Sequence, residues 1–566
     1  PLIEALTPGQ LYTRCNTDEF SFELSSELEE ISGLIGQSRA LEALHFGTSM
    51  NKDGYNLFVL GPPGIGKYTM VRQYLEQHCD SLPTPPDWCY VHNFQNPQKP
   101  VAVKLPAGRG IVFREDIKHL LEDLRTTLPL AFETKEYQLR IQEIEKELEQ
   151  QRKEAFDKLE QEAKKHHVLI LHTPTGFIFA AAKDGKPVSP EEYKAFSKEE
   201  KQQFESSIAI LQEDLNNFIH LVPEFRRQTN NKIKALNKEV ATFSVGHLMD
   251  TLKEKYQDLP AIVHFLDNFQ DDVVDNINQF RNPEPTPAPL NLILDDEQSF
   301  RRYRVNLLID HTQLKGAPVI NEDNPINKNQ LGRIEQTSRM GVLSTDFTLI
   351  KPGAIHLANG GFLILDVRKL LLQPYAWEGL KRALYSKQIR IQSLAELFSF
   401  VSMSGLEAEP IPIDLKVVLL GDRILYYLLL QYDPEFSELF KIAADFEEDL
   451  ERTAENNLLY ARVIATLISK EQLLPFDRSA IGRIIEFSSR QANNAGKLTT
   501  HMLSILDLMR ESDQWTQDAG VKVVAAEHVQ QAIDAKNRRV DRLQQDLQQE
   551  IQDGTILIDT EGATPG

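Results

Sequence analysis

The sequence predicts an α/β fold: a parallel sheet, a long coiled-coil and β-hairpin insertion, and an all-helical C-terminal subdomain. Three observations carry this reading. Short, near-continuous apolar runs at 55–60, 303–309, 362–366 and 415–421 suit the buried strands of a parallel sheet. A glycine-rich loop joins the first of these runs to a polar helix, the strand–loop–helix pattern of such a sheet. From about 114 to 281 the apolar residues instead recur every three or four positions among Glu, Gln, Lys and Arg, which is a coiled-coil period.

Taken in order, 38–49 reads as an amphipathic helix and 55–60 as a strand. A helix is expected from Lys67 to about His78, then a Pro-rich turn at 82–87. Strand-like Trp88-Cys89-Tyr90-Val91 is expected to extend the same parallel sheet, so 1–113 forms the first part of the α/β subdomain. The insertion, 114–281, carries two stripes: Tyr137, Ile141, Ile144, Leu148, Ala155, Leu159, and Phe204, Ile208, Leu211, Leu215, Phe218. Between them, 168–188 holds two apolar triplets separated by Thr-Pro-Thr-Gly and reads as a small β-hairpin cap. The Pro-rich stretch 282–289 is a stiff linker closing the insertion. The α/β pattern resumes over 282–455, and 456–548 is helical with a break at Pro475. Strand-like Thr555-Ile556-Leu557-Ile558 then opens a connection, 549–566.

Composition narrows the function. With 566 residues the chain should hold roughly three or four structural units at about 100–200 residues each. The net charge of −21 argues against a general grip on nucleic acid or anionic lipid. Three cysteines without metal-ligand spacing fit a reducing cytoplasm, and neither a membrane span nor a secretory signal is evident. A chain that starts without Met and stops at Thr564-Pro565-Gly566 is expected to be a piece of a longer protein.

The chemistry centres on Gly61-Pro62-Pro63-Gly64-Ile65-Gly66-Lys67. A phosphate-binding loop needs glycines that turn backbone N–H groups inward, a helix N-terminus whose dipole favours anions, and a lysine for the β- and γ-phosphates. The next position should be Ser or Thr to hold Mg²⁺; it is Tyr68, with Thr69 one step later. Asp366, ending the run Phe362-Leu363-Ile364-Leu365, supplies the acid that anchors the metal-bound water. Val367 stands where a water-polarising Glu would follow. The adjacent His166-His167 pair points in different directions on a helix and reads as solvated surface.

Together with Leu34-Ile35-Gly36-Gln37, His356-Leu357-Ala358-Asn359-Gly360-Gly361 before Asp366, and the helical tail, these residues resemble the AAA+ module of Lon-type ATP-dependent serine proteases. The likeness is to bacterial Lon-like proteins related to the B type, and it covers nearly the whole chain. It implies ATP or ADP with Mg²⁺ as cofactors, and a ring, as a hexamer, that draws unfolded or damaged protein through a pore to a peptidase domain. The resemblance places Gly61, Gly64, Ile65, Gly66, Lys67, Tyr68 and Thr69 at the phosphates, Leu34 and Ile35 near adenine, and Thr69 and Asp366 at the metal. It also puts Asp422 at a γ-phosphate sensor, His501 at a second sensor that is normally Arg, and Lys441 near a trans-acting finger. An Arg finger contributes roughly 10³–10⁵ in rate, so the departures at Tyr68, Val367, Asp422, Lys441 and His501 imply slow hydrolysis or none.

The family's peptidase serine motif is absent. Lys183-Asp184-Gly185-Lys186-Pro187-Val188-Ser189 lies in the hairpin cap without a partner lysine segment, so no peptide cleavage is expected from this chain alone. Archaeal B-type relatives carry membrane helices in the interval occupied here by the charged insertion, so membrane anchoring does not carry over. Two alternatives remain beside an ATPase: a non-hydrolysing ring scaffold that binds unfolded substrate, and a DNA motor, which the acidic charge disfavours.

Overall fold

The computed structural model describes residues 12–31, 36–173, 176–183, 186–188, 197–281, 300–339, 342–391 and 406–558, with 7 and 562. Leu34 and Ile35, and the Pro-rich linker at 282–289, lie outside the described residues. The chain forms two compact units: Pro1–Asp87 with Leu308–Thr345 and Leu349–Gly566, and Trp88–Leu307 with Asp346–Thr348.

The first unit opens with helix α1 (Ser38–Ser49), strand β1 (Leu57–Leu60) and helix α2 (Lys67–Cys79). All four residues of β1 are buried, as a central strand requires.

The second unit begins around β2 (Asp87–Val91) and β3 (Val101–Leu105), followed by α3 (Arg109–Phe132) and α4 (Lys135–Lys165). Strands β4 (Val168–Thr173) and β5 (Gly176–Lys183) pair antiparallel, and the long helix α5 (Lys198–Lys255) returns to α6 (Pro260–Asp275) and β6 (Val305–Ile309). Here one expectation is corrected. β2 does not extend the sheet of β1; it lies in a separate three-stranded sheet in the order β3-β2-β6. Its local pattern makes it a strand, but a buried apolar run says nothing about which neighbour it pairs with.

Helix α4 starts at a Thr134 cap that accepts the Tyr137 N–H. It runs antiparallel to α5, tied by Tyr137 Oη to Asn237 (2.7 Å), Arg140 to Glu239 and Lys232 to Glu147. At the base an aromatic core gathers Phe94, Phe113, Phe265, Phe269 and Tyr303, the last two rings 4.7 Å apart. At the far end Leu159, Val168, Ile170, Leu211, Leu215 and Phe218 form a second, smaller core under the hairpin.

The first unit resumes with β7 (Val319–Glu322), β8 (Phe362–Asp366) and the short helix α7 (Val367–Leu371). Then come α8 (Ala376–Ser386), β9 (Lys416–Gly421), α9 (Arg423–Tyr432) and β10 (Ile442–Asp445). Five strands pair in parallel in the order β10-β1-β9-β8-β7. On one face Leu57, Val59, Ile364 and Val418 pack against Met70, Val71 and Leu75 of α2. On the other, Phe58 meets Tyr426 at 5.2 Å and Phe436 at 5.8 Å. Helices on both faces are what a parallel sheet needs to bury its strands.

A helical layer follows: α10 (Ala454–Glu471), α11 (Arg478–Gln491), α12 (Met502–Asp518), α13 (Ala526–Val540) and α14 (Arg542–Gln552). Thr453 and Asp477 cap α10 and α11 through side-chain oxygens. Phe20 and Phe22, far away in sequence, lie in the same core as Tyr460, Ile484 and Leu508. A second correction concerns 555–558, which is not a strand. Among the described residues no neighbouring strand takes up its backbone groups, and Leu557 is 86% exposed. Among the described residues no helix is long and apolar enough to cross a membrane.

Candidate functional site

The loop between β1 and α2 is built by positive φ at Gly61 (154°), Gly64 (89°) and Gly66 (81°). Side chains disfavour that conformation, and at Gly64 a Cβ would also run into the His501 ring. No side chain caps α2, so the N–H groups of its first turn are available to an anion that the helix dipole favours. Ile65 is 1% exposed and packs beneath the loop, so only its backbone can serve a ligand.

Lys67 is the loop's cation. Its Nζ donates to the carbonyls of Gly61 and Pro62 and lies 3.8 Å from Asp422 Oδ1. Burial lowers its pKa from the ordinary lysine value, while Asp422 and Asp366 pull it back up. A buried ammonium of this kind gains from a polyanion that solvates it. Asp422 stands at the N-terminus of α9 without making a capping bond. Asp366 does cap: its Oδ1 accepts the Lys369 N–H at 2.9 Å, which leaves the second oxygen for another partner.

The residue after Asp366 faces the core. Val367 is fully buried, with its methyl close to Gly421. Tyr68 is half-buried against the sheet core, one turn before Arg72, which donates to Glu76 at 2.7 Å. Thr69 is exposed and lines the cleft.

The helical layer reaches the loop through His501. This residue caps α12: its Nδ1 accepts the Ser504 N–H at 3.3 Å. That bond sets the tautomer, leaving the proton of the neutral ring on Nε2, the nitrogen turned to Gly64. Beside it the Leu503 N–H donates to the Gly64 carbonyl at 3.2 Å. Gly64→Ala is therefore expected to lower stability by about 1–2 kcal/mol through backbone strain and to separate His501 from the loop. Urea unfolding and the chemical shifts of the His501 ring would check both effects.

Lys441 lies outside this cleft. It precedes β10 at the sheet edge where β1 begins, roughly 13 Å of strand away from the loop, with its Nζ 5.1 Å over the Tyr55 ring. Gln37 is 2% exposed and exchanges two 2.9 Å hydrogen bonds with the backbone of Glu447.

Lys67, Thr69, Asp366 and Asp422 thus share one cleft of about 620 Å³, closed on one side by the apolar Leu425, Leu467, Leu503 and Leu506. Asn321, Glu322, Asp323 and Lys369 also line it. Sequence reasoning missed the first three because β7 is short and ends in polar residues. The available signal was the pair Val319-Ile320 just ahead of Asn321-Glu322-Asp323. Among the described residues no cluster of three or more His, Cys, Asp or Glu could hold a metal by itself. Thr69 and Asp366 fit a Mg²⁺ held largely by phosphate oxygens and water.

A parallel sheet in this strand order, a glycine loop opening α2, an acid closing β8 and a helical layer touching the loop define a P-loop module of the AAA+ class. Residues 315–447 match the family described as LonB-like, AAA domain, and residues 475–539 match Archaeal LonB, AAA+ ATPase LID domain. Residues 87–120 match the Lon-like LonC helical domain. The chain carries a Lon-like AAA+ module.

Two curated relatives are similar, each called a putative Lon protease homolog. The one from Escherichia coli K12 is 29% identical over 229 residues, and the one from Haemophilus influenzae 23%. Each match covers 39% of this chain and 36% of the relative's own length. Among solved structures, a RuvB mutant of Thermotoga maritima shares 15% identity at a TM-score of 0.21, covering 32% of this chain and 47% of that one. NtrX from Brucella abortus in complex with ATP shares 13% at 0.24, covering 50% of this chain and 69% of that one. Superpositions this loose place no residue.

Proposed function

We propose that the chain is the ATP-binding and hydrolysing module of a Lon-like machine that delivers unfolded or damaged protein to a peptidase domain. The observation that carries this is the convergence of Lys67, Asp366, Asp422 and the uncapped start of α2 on one cleft, with His501 of the helical layer seated against Gly64 of the loop. In this reading the loop N–H groups and Lys67 hold the β- and γ-phosphates, and the His501 Nε2–H donates to the γ-phosphate side. Mg²⁺, held by Thr69 and Asp366, would supply charge neutralisation at those phosphates. Residence in the cytoplasm, assembly as a hexameric ring and a trans-acting Lys441 belong to the same proposal. Lys441 fits a trans role because it is remote from its own cleft.

One observation favours the rival reading of a non-hydrolysing scaffold: Val367, where a base is usual, is fully buried. Calorimetry with ATP and ADP, in Mg²⁺ and in EDTA, tests the site. Micromolar binding that tightens with Mg²⁺ is the expected result. An absence of binding in both buffers would reduce the loop to a structural turn.

A further inference from the structure

We propose that Arg423 is a positioning residue for the nucleotide site: through one short stretch of chain, 445–448, it holds Asp422 at the cleft and His501 against the loop. The inference rests on the nucleotide reading above. Asp422 makes no capping bond at the start of α9, and its 3.8 Å approach to Lys67 is too long for a hydrogen bond. The residue beside it is fastened instead. Arg423 Nε donates to Asp445 Oδ1 at 2.9 Å, Nη2 donates to the Phe446 carbonyl at 2.7 Å, and Nη1 donates to Glu448 Oε1. A planar fork of fixed donors suits three partners at once, which a single ammonium does not.

The same stretch meets the other parts of the site. The Phe446 N–H donates to the Leu60 carbonyl at 3.0 Å, where β1 enters the phosphate loop. Thr500 Oγ1 donates to the Glu447 carbonyl at 2.7 Å, and the Thr500 N–H donates to the Glu448 carbonyl at 2.9 Å. Thr500 is 3% exposed and immediately precedes His501, whose ring sits against Gly64. Residues 445–448 therefore tie Asp422 on one side, through Arg423, and His501 on the other, through Thr500. Neither Arg423 nor Thr500 lines the cleft, so each acts through its neighbour. In the reading above, Asp422 and His501 both serve the γ-phosphate. ADP has none, so loosening this tie should be felt by ATP and hardly by ADP.

The test titrates the full 566-residue chain with MgADP and with the magnesium complex of the β,γ-imido analogue of ATP. Arg423→Gln and Thr500→Val should each weaken the analogue roughly 5–10-fold and leave ADP within about twofold. Arg423→Lys should fall between Arg423→Gln and the unmodified chain. The double variant should lose no more than about twofold beyond the stronger single one, because both substitutions cut the same tie. If Arg423→Gln fails to fold, Arg423→Lys and Thr500→Val carry the same comparison. Unchanged affinities, equal weakening of both nucleotides, or fully multiplicative losses in the double variant would each overturn the proposal and leave the binding site standing. Failure of the unmodified chain to bind either nucleotide would instead overturn the nucleotide reading, and this proposal with it.

Discussion

Lys67→Ala is expected to weaken ATP and ADP binding by at least about 100-fold, which corresponds to roughly 2.7 kcal/mol. The reason lies in how the ammonium is held. It is mostly withdrawn from water, its charged form is disfavoured by that burial, and its nearest anion is Asp422 at 3.8 Å. A phosphate group entering the loop would therefore meet a buried cation held by two neutral carbonyls and no close anion, and a charge-assisted hydrogen bond is among the stronger single contacts available. Alanine leaves the loop's N–H groups intact, so weak residual binding should persist. Calorimetry of the variant checks this, and an affinity within threefold of the unmodified chain would remove Lys67 from the site. Far-UV circular dichroism should stay unchanged, because Lys67 supports no core contact.

Lys381→Met should cost the first unit about 3–5 kcal/mol, the range for breaking a buried ion pair by removing one partner. Lys381 is 6% exposed on α8, with Nζ 3.0 Å from Glu378, 3.0 Å from Asp433 and 2.8 Å from Glu435. Burial alone would lower its pKa, but Glu435, Asp433 and Glu378 outweigh burial and raise it. Burial would raise the carboxyl of Asp433, and its bonds from Trp377 and Lys381 outweigh that and lower it. Because the Asp433 value is depressed on folding, its contribution is complete above pH 3.8 and fades as pH falls toward the folded value. Because the Lys381 value is raised, its contribution is complete below pH 10.5 and fades as pH climbs past it. Denaturant midpoints of the Met variant should accordingly lie closest to those of the unmodified chain at the two pH extremes. A gap of under 1 kcal/mol at pH 7 would show that the cluster is not a stability element.

The phosphate loop could be read directly from the sequence because its constraint is local. Gly61, Gly64 and Gly66 are needed where the backbone takes positive φ, and Lys67 must open the helix. Apolar runs such as 362–366 and 415–421 are legible as strands for the same local reason. Pairing is not local, so nothing within Trp88–Val91 distinguishes the sheet of β1 from its actual partners, β3 and β6. Strand β7 is not legible in the sequence because only Val319 and Ile320 are apolar and its edge position tolerates Asn321 and Glu322. The two ends of the nucleotide argument show the same divide. Asp366 is recognisable from the run before it, but nothing in that run reveals that one oxygen is spent on the Lys369 N–H. His501 could be aligned from its neighbours, yet its seat on Gly64 depends on the packing of a distant helix.

The joining of Phe20 and Phe22 to the helical layer sets a timetable for synthesis. The Ser25 hydroxyl accepts the backbone N–H of Phe476, a partner made 451 residues later. At about 5–20 residues per second, a ribosome needs roughly 20–90 s to supply it. Through that interval Phe20 and Phe22, stacked on each other at 5.2 Å, lack the helical core that buries them and must stay free of other apolar surfaces. The segment around Phe20 and Phe22 is therefore among the last to find its packing, and the helical core cannot be complete until residues as late as Ile533 have been made.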